Sequence, residues 1–571
     1  MVDGRGLTSA FTYDGLNRLT EAQYNTSNKQ GYNETRTAYT YDGGNRLTSA
    51  QDGQGTTTVI DTLSATYDGL NDLLTASYSS NTLNNTVTYT YDNDQNRLTM
   101  TAANQAQTGY GYDKDNHLTS ESRGTQSVGI EYDSDGRYTT VTLPNGVTVN
   151  YNQYDADSHP TSITYSSTGG GALGNLTYGY DNDGRVNSLG GSLAAVNLPA
   201  AMPTATYDNG NQLATWNGTA ATTDGNGNLL SDPSLNATYT WNERAELSSA
   251  SAGGVVSSFI YDALGRRVAQ TAGSLTTQYV YDMLNVAQEQ FSTGGVGDML
   301  PGMGLDQYFS RVDSSGTSTI LPDLLGSTLG LVNSSGAIET GYAYGPFGQT
   351  SASGTNSLNP IQYTGHEMDS TGLYFLRARY YNPVAQRFIS PDPMGLSSGQ
   401  LNLYAYGFNS PTNFIDPLGL KGGSMNGDSP VPVPPPPPAP SPPPPQLLGL
   451  PSGGRIAVNT TQPSSLSIGV TSPVVHTQGG LTPDQFLEVT QAALLASIVG
   501  YQVGTLAAGG VAEALADAEL IALTATGVAS IAVLGGLAGA AVIGFGVFYL
   551  ADHYYEAGGT GPVELKEDYA D

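Results

Sequence analysis

The sequence predicts a mainly β protein that ends in a small α-helical, apolar C-terminal domain. Three observations carry this expectation. A Tyr-Asp motif recurs through the first half of the chain. The composition, with Tyr 37 against Phe 12, Gly 72 and Pro 31, favours pleated strands and tight turns. Two long uncharged runs stand near the C-terminus. At 571 residues the chain holds about three to five ordinary domains unless a repeat array absorbs the length. With Cys 0 there is no disulfide framework and no cysteine-ligated metal. The net charge of -30 argues against a nucleic-acid partner, which selects clustered positive charge. The opening residues, MVDGRGLTSAFTYDG, lack a basic and apolar secretory signal. Either export uses a machine that reads no such signal, or the reading frame lacks its true start.

The YD tyrosines fall at Tyr13, Tyr41, Tyr67, Tyr91, Tyr112, Tyr132, Tyr154, Tyr180, Tyr207, Tyr261 and Tyr281, spaced 20 to 28 residues apart except for one gap of 54. That gap reads as two repeats, with a decayed copy near Trp241-Asn242-Glu243-Arg244. Each unit reads as a β-hairpin. In Tyr-x-Tyr, as at Tyr89/Tyr91, two rings lie on one face of a strand, because side chains alternate with period 2. The Asp at the strand end can accept backbone N–H bonds two residues on. Gly or Asn after it supplies a left-handed residue. The following Arg can lie over a Tyr ring or pair with the turn Asp. A lone hairpin cannot bury a face, so consecutive hairpins must join into a long sheet. The Tyr and Asp residues are scaffold on this reading. His117, His159, His366, His476 and His553 are scattered and read as ordinary surface or core residues.

A second block runs from about residue 305 to 420: Asp323-Leu324-Leu325-Gly326-Ser327, Tyr342-Ala343-Tyr344-Gly345-Pro346-Phe347-Gly348, Tyr363-Thr364-Gly365-His366-Glu367, then GLYFLRARYYNPVAQRFISPDPMGLSSGQLNLYAYGFNSPTNFIDPLGL from Gly372 to Leu420. Repeats and block together resemble the Rhs family, which includes bacterial Rhs and wall-associated polymorphic toxins, the C subunits of Tc insecticidal toxins and animal teneurins. The resemblance spans residues ~5 to 420. It implies a hollow shell, closed or open, made by one spiralling sheet around the C-terminal segment of the same chain. It also implies that the core block plugs the shell and cuts the chain. Two Asp-Pro-x-Gly motifs bracket that activity in relatives, here Asp392-Pro393-Met394-Gly395 and Asp416-Pro417-Leu418-Gly419. The implied cut lies between Leu420 and Lys421. The chemistry asks for one ionised and one protonated carboxyl, and two carboxyls sharing a site split their pKa values to give both. Asp392 and Asp416 are the candidate pair, joined by an expected strand, LNLYAYGF. Arg387 either holds one carboxylate ionised or braces the core. Asn382 stands where the family has Asp, and Gln386 where it has Gly in a turn that favours φ > 0. No cofactor or metal is expected.

After Leu420 the composition changes. VPVPPPPPAPSPPPP at 431–445 predicts polyproline II, a stiff spacer, and residues 421–480 read as a linker. In 481–571, Thr482-Pro483-Asp484 reads as a helix start. Uncharged runs at 489–512 and 520–551 are the two expected helices, the second long enough for the ~20 residues of a membrane span. The tail either inserts into a target membrane, anchors the producer's own, or packs as a soluble helical pair.

The resulting division is 1–304 repeats, 305–420 core, 421–480 linker and 481–571 variable domain. The expected function is a secreted or surface-located polymorphic toxin whose shell encloses a membrane-active passenger and releases it by aspartyl self-cleavage. Its implied partners are its own C-terminal segment, secretion machinery, an immunity protein and a membrane. The alternatives are a non-enzymatic adhesion protein anchored by its tail, or an inactive gene fragment.

Overall fold

A computed structural model describes residues 1–420 except 56, 57, 103 and 196–203, together with the backbones of the strands Gly423–Ser424, Glu519–Ala525 and Val528–Leu534. The chain separates into two compact units, one of residues 1–443 with 487–506, the other of 444–486 with 507–571.

The described part of the first unit is built from the repeats. The strands from Ala10–Tyr13 to Val186–Gly190 pair in sequence order into one 16-stranded antiparallel sheet. A three-stranded sheet follows over Ala205–Ala220, then a 14-stranded sheet from Thr222–Thr223 to Thr350–Gly354, again in sequence order. There is no α-helix among the described residues. The mainly β expectation holds. The second large sheet crosses residues 304/305 without a break, because Val296–Pro301 pairs with Tyr308–Asp313. A four-stranded sheet over Glu367–Phe388 completes the unit.

Most of the YD hairpins follow one local design. In the repeat at Tyr41, the Asp42 carboxylate accepts the N–H groups of Gly44 and Arg46 at 2.8 and 3.0 Å and the Arg46 Nε at 2.7 Å. Asn45 takes φ +65°, the left-handed residue of a hairpin with a bulge, and pairing slips at Tyr41. The guanidinium of Arg46 then lies 4.9 Å over the ring of Tyr67 in the next repeat. The Tyr67 hydroxyl reaches back to the Leu47 carbonyl at 2.9 Å. The same backward bond recurs from Tyr41 to Leu19, Tyr91 to Leu73, Tyr112 to Arg97, Tyr132 to Leu118, Tyr261 to Leu247 and Tyr281 to Arg267. Each tyrosine therefore rivets its hairpin to the one before.

The gap of 54 holds two further turns. Asn242 replaces the Asp and still accepts from Arg244 and Glu246 N–H at 2.9 Å each. Asp224, without a preceding Tyr, does the same for Asn226 and Asn228; this second turn lacks the aromatic signal in the sequence.

The buried faces of the two large sheets meet. Leu19, Tyr39, Leu47 and Leu63 pack with Ala263, Leu264 and Val268. Further along, Val128, Ile130, Val149 and Tyr165 pack with Leu300, Phe309, Leu321 and Val332. Polar contacts pin the same seam: Arg97 pairs with Asp282 at 2.9 Å, and the Tyr89 hydroxyl donates to Asp282 at 3.0 Å.

In the second unit, Glu519–Ala525 pairs antiparallel with Val528–Leu534, Ala525 opposite Val528. This corrects the helix expected from residue 520 over these positions. Ile521, Val528, Ile531 and Val533 are β-branched and suit a strand better than a helix, and Gly527 lies between the two strands in sequence. The rest of 520–551, the helix at 489–512 and most of the 421–480 linker lie outside the described residues. No helix among the described residues is long and apolar enough to cross a membrane.

Candidate functional site

Asp392 and Asp416 come together through a third residue that the sequence reading did not select. Arg379, on the strand Arg379–Asn382, places one nitrogen, Nη2, 3.0 Å from Asp392 Oδ2 and 3.2 Å from Asp416 Oδ2. All three are buried: Asp392 is 4% exposed, Asp416 0% and Arg379 2%. The LNLYAYGF segment between the acids is not a strand. It is irregular and ends in a 3-10 turn at Gly407–Asn409. The pair is assembled instead by the arginine and by backbone anchoring. Asp392 N–H bonds the Leu403 carbonyl at 2.9 Å, and Arg379 Nη1 donates to that carbonyl at 2.9 Å.

Burial pushes the Asp392 carboxyl up to about 7, against the pull of Arg379 and with Asp416 adding to the rise. It therefore exchanges its proton near neutral pH. Asp416 accepts on both oxygens, from Arg379 on Oδ2 and from the Leu420 N–H on Oδ1 at 2.9 Å. That second bond sets the carboxylate against Leu420. Lys421 lies outside the described residues. Ile415 pairs with Gly423 and Phe414 with Ser424, so the chain doubles back across this stretch.

The residues before Leu420 are held one carbonyl at a time. Pro417 O accepts from Arg377 Nη1 at 2.6 Å and faces His366 Nε2 at 3.3 Å. Leu418 O accepts from Ala378 N–H at 3.1 Å. Gly419 O accepts from Arg379 Nε. Gly419 has φ +66°, and a Cβ there would sit 2.5 Å from the Leu376 carbonyl oxygen, so only glycine fits this approach.

Arg387 is not part of this cluster. Its guanidinium lies 4.8 Å from the rings of both Tyr207 and Tyr404 and donates to the Asn211 carbonyl. It braces the core; the carboxylate-holding role goes to Arg379. His366, read from sequence as ordinary, is buried beside Pro417, whereas His117 and His159 take the place of the repeat arginine, bonding Asp113 and Asp155 at 3.1 and 2.9 Å. Asp113, Asp115 and His117 bring three ligand-capable groups together, but on an exposed turn with the same carboxylate-to-backbone bonds as the turns at Asp42 and Asp133. Arg377, Arg379 and His366 had one sequence signal, their place among the dense motifs of 363–382; nothing local tied them to Asp392 or Asp416.

A Teneurin YD-shell family model matches residues 148–412. The tRNA3(Ser)-specific nuclease WapA of Bacillus spizizenii is 29% identical over 394 residues, 58% of this chain and 16% of the relative. Double-stranded DNA deaminase toxin A of Burkholderia cenocepacia is 27% identical over 304 residues, 44% of this chain and 21% of the relative. Toxin protein Tse5 of Pseudomonas aeruginosa is 50% identical over 62 residues, 11% of this chain and 5% of the relative. The chain thus spans less than a quarter of the length of these relatives. Among solved structures, the TcdB2-TccC3 crystal structure matches with TM-score 0.56 and 20% identity over 73% of this chain and 27% of that chain, a likeness of fold. Repeat geometry, core motifs and these relationships agree: the chain is a YD-repeat protein with a YD-shell fold, similar to Rhs-type proteins and related to bacterial toxins.

Proposed function

We propose that this chain is the shell and self-cleaving core of a toxin, and that it severs its own C-terminal segment between Leu420 and Lys421. The observation that carries the reading is the meeting of two buried carboxyls on one arginine nitrogen, with Asp416 bonded to the N–H of Leu420. Asp416 takes a proton from a water molecule as the water oxygen bonds the Leu420 carbonyl carbon. Asp392, protonated, polarises the carbonyl oxygen. The C–N bond then breaks, leaving a carboxylate on Leu420 and an amine on Lys421 that takes up the proton. Arg379 keeps both side chains in reach and offsets their charge.

The released segment, residues 421–571, is a membrane-active passenger on this proposal, supported by 32 uncharged residues between Glu519 and Asp552 and by an apolar strand pair within them. Export by secretion machinery and a neutralising immunity protein in the producer follow from a toxic passenger.

A denaturing gel of the purified full chain is expected to show two fragments split after Leu420, and Asp392→Asn or Asp416→Asn to leave a single band. The released fragment is expected to sediment with lipid vesicles. A wild-type chain that stays intact overturns the cleavage reading and favours a non-enzymatic surface protein.

A further inference from the structure

Two donor side chains, the buried His366 and the largely buried Arg377, converge on one backbone carbonyl that takes no part in the chemistry above, and the buried Asp306 carboxylate holds both donors. Asp306 comes from the loop between the strands Val296–Pro301 and Tyr308–Asp313. Arg377 lies in the turn before Arg379, and His366 follows the 3-10 turn Tyr363–Gly365. Arg377 forks onto Asp306, Nη2 to Oδ1 at 2.7 Å and Nη1 to Oδ2 at 2.9 Å, and Nη1 also donates to Pro417 O. His366 Nε2 lies 3.2 Å from Asp306 Oδ2 and 3.3 Å from Pro417 O. Both neighbours are acceptors, so Nε2 carries the hydrogen. Nδ1 meets the Thr364 hydroxyl at 2.8 Å, which fixes the ring.

The backbone is strained at each of these segments. Asp306 has φ +58°, Thr364 +50° and Arg377 +54°, a region that non-glycine residues, β-branched ones above all, enter at a cost. Arg377 Nη2 also donates to the Leu284 carbonyl at 3.1 Å, which ties the grip to the repeat sheet. The carbonyl belongs to the residue after Asp416, and Leu418 O and Gly419 O are held in turn by the residues that follow Arg377. A slip of one residue at Pro417 would carry a different peptide bond to the two carboxyls.

We propose that Arg377 and His366, aligned by the Asp306 carboxylate, are positioning residues that set the cleavage register by gripping the Pro417 carbonyl. The proposal rests on the cleavage reading given above. It makes the cut site a property of the clamp, while Asp392 and Asp416 supply the chemistry. It also makes cleavage conditional on the repeat sheet, because Asp306 sits in the loop that joins two of that sheet's strands while Arg377 and His366 lie beside the cut.

The test uses the full chain made by cell-free translation, following fragment appearance over time and reading the new C-terminus by mass spectrometry. Arg377→Ala is expected to cut about 100-fold more slowly, or to scatter the cut to bonds beside Leu420–Lys421. Millimolar methylguanidinium is expected to restore rate and site, which a merely structural defect would not allow. Arg377→Lys, which keeps the charge and loses the fork, should fall between. Asp392→Asn should stay uncut with or without methylguanidinium. Wild-type rate and site in Arg377→Ala, beside a cut wild type and an uncut Asp392→Asn, overturn the clamp and leave the cleavage reading standing. A slow Arg377→Ala that methylguanidinium does not accelerate also overturns the clamp. An uncut wild type overturns both. Should Arg377→Ala lose the protease resistance of the shell, His366→Leu decides: a slowed or scattered cut supports the clamp, and an unchanged one overturns it.

Discussion

Gln386 occupies φ +58°, a left-handed conformation that glycine adopts most readily, and it does so because the turn between Asn382 and Arg387 is fixed at both ends. Asn382 accepts from Val384 and Ala385 N–H, and its amide donates to Asp232 Oδ2 at 2.7 Å and Ser234 Oγ at 2.8 Å. Arg387 is stacked between two tyrosines. Gln386→Gly is therefore expected to raise stability by about 1 kcal/mol, measured by urea unfolding of the full chain. Asn382 is the complementary case. An Asp there would set a carboxylate against Asp232 in a buried site, so the amide at 382 suits the carboxylate at 232. Glu121 is fully buried, and neither carboxyl oxygen has a hydrogen-bond partner; burial pushes it up to about 8. Since its folded value exceeds the unfolded one, the native state binds the extra proton, and stability falls as pH rises from about 4 to 8. Asp61, also raised to about 8 by burial, and Asp392 act in the same direction. The midpoint of thermal unfolding should drop between pH 5.5 and 8.5, and Glu121→Gln should flatten part of that drop. A flat profile in the wild type would remove the argument.

At the scale of the element, the hairpin is specified by side chains that bond within a few residues of themselves and to the next repeat. The Asp carboxylate fixes the turn, the Arg reaches forward over the next Tyr, and that Tyr hydroxyl reaches back. Tyr67→Phe removes one rivet and leaves the buried Leu47 carbonyl without its donor, at a cost of about 0.5–1.5 kcal/mol measured by denaturant unfolding. This chemistry is why the repeat was legible. Asn242 and Asp224 show the limit, since the turn bonds form when the Tyr-Asp pair has decayed to Trp-Asn or Thr-Asp. The three side chains that build the rivet are redundant enough for a hairpin to survive losing one. Sequence periodicity, which scores identity, loses such a copy first.

Across the whole first unit, stability depends on the seam between the two large sheets. Arg97 and Asp282 are 185 residues apart and both buried, with Tyr89 donating to the same carboxylate. Asp282→Ala leaves a buried guanidinium without its counter-charge and should cost about 3–5 kcal/mol. Because the seam joins early repeats to late ones, the loss should lower a single unfolding transition of this unit rather than split off one sheet; calorimetry distinguishes the two. The same reasoning applies to the core. The sheet at Glu367–Phe388 packs Leu373, Phe375 and Tyr380 against Leu229, Tyr239, Trp241 and Phe259, so the residues that present Asp392 and Asp416 rest on the repeats.

The sequence by itself determined the hairpin, its turn chemistry, the forward stacking of Arg on Tyr and the pairing of neighbours in order, because each depends on side chains a few residues apart or one repeat away. It also singled out Asp392 and Asp416. Tertiary structure decided what joins them. Arg379 rather than Arg387 meets both carboxyls, and His366 and Arg377, each paired with Asp306, meet at Pro417, contacts between residues up to 71 positions apart that no local pattern encodes. It also decided that the apolar stretch at 519–534 pairs as strands: a run of uncharged residues fixes burial, while β-branching and the partner strand fix which backbone hydrogen bonds are made.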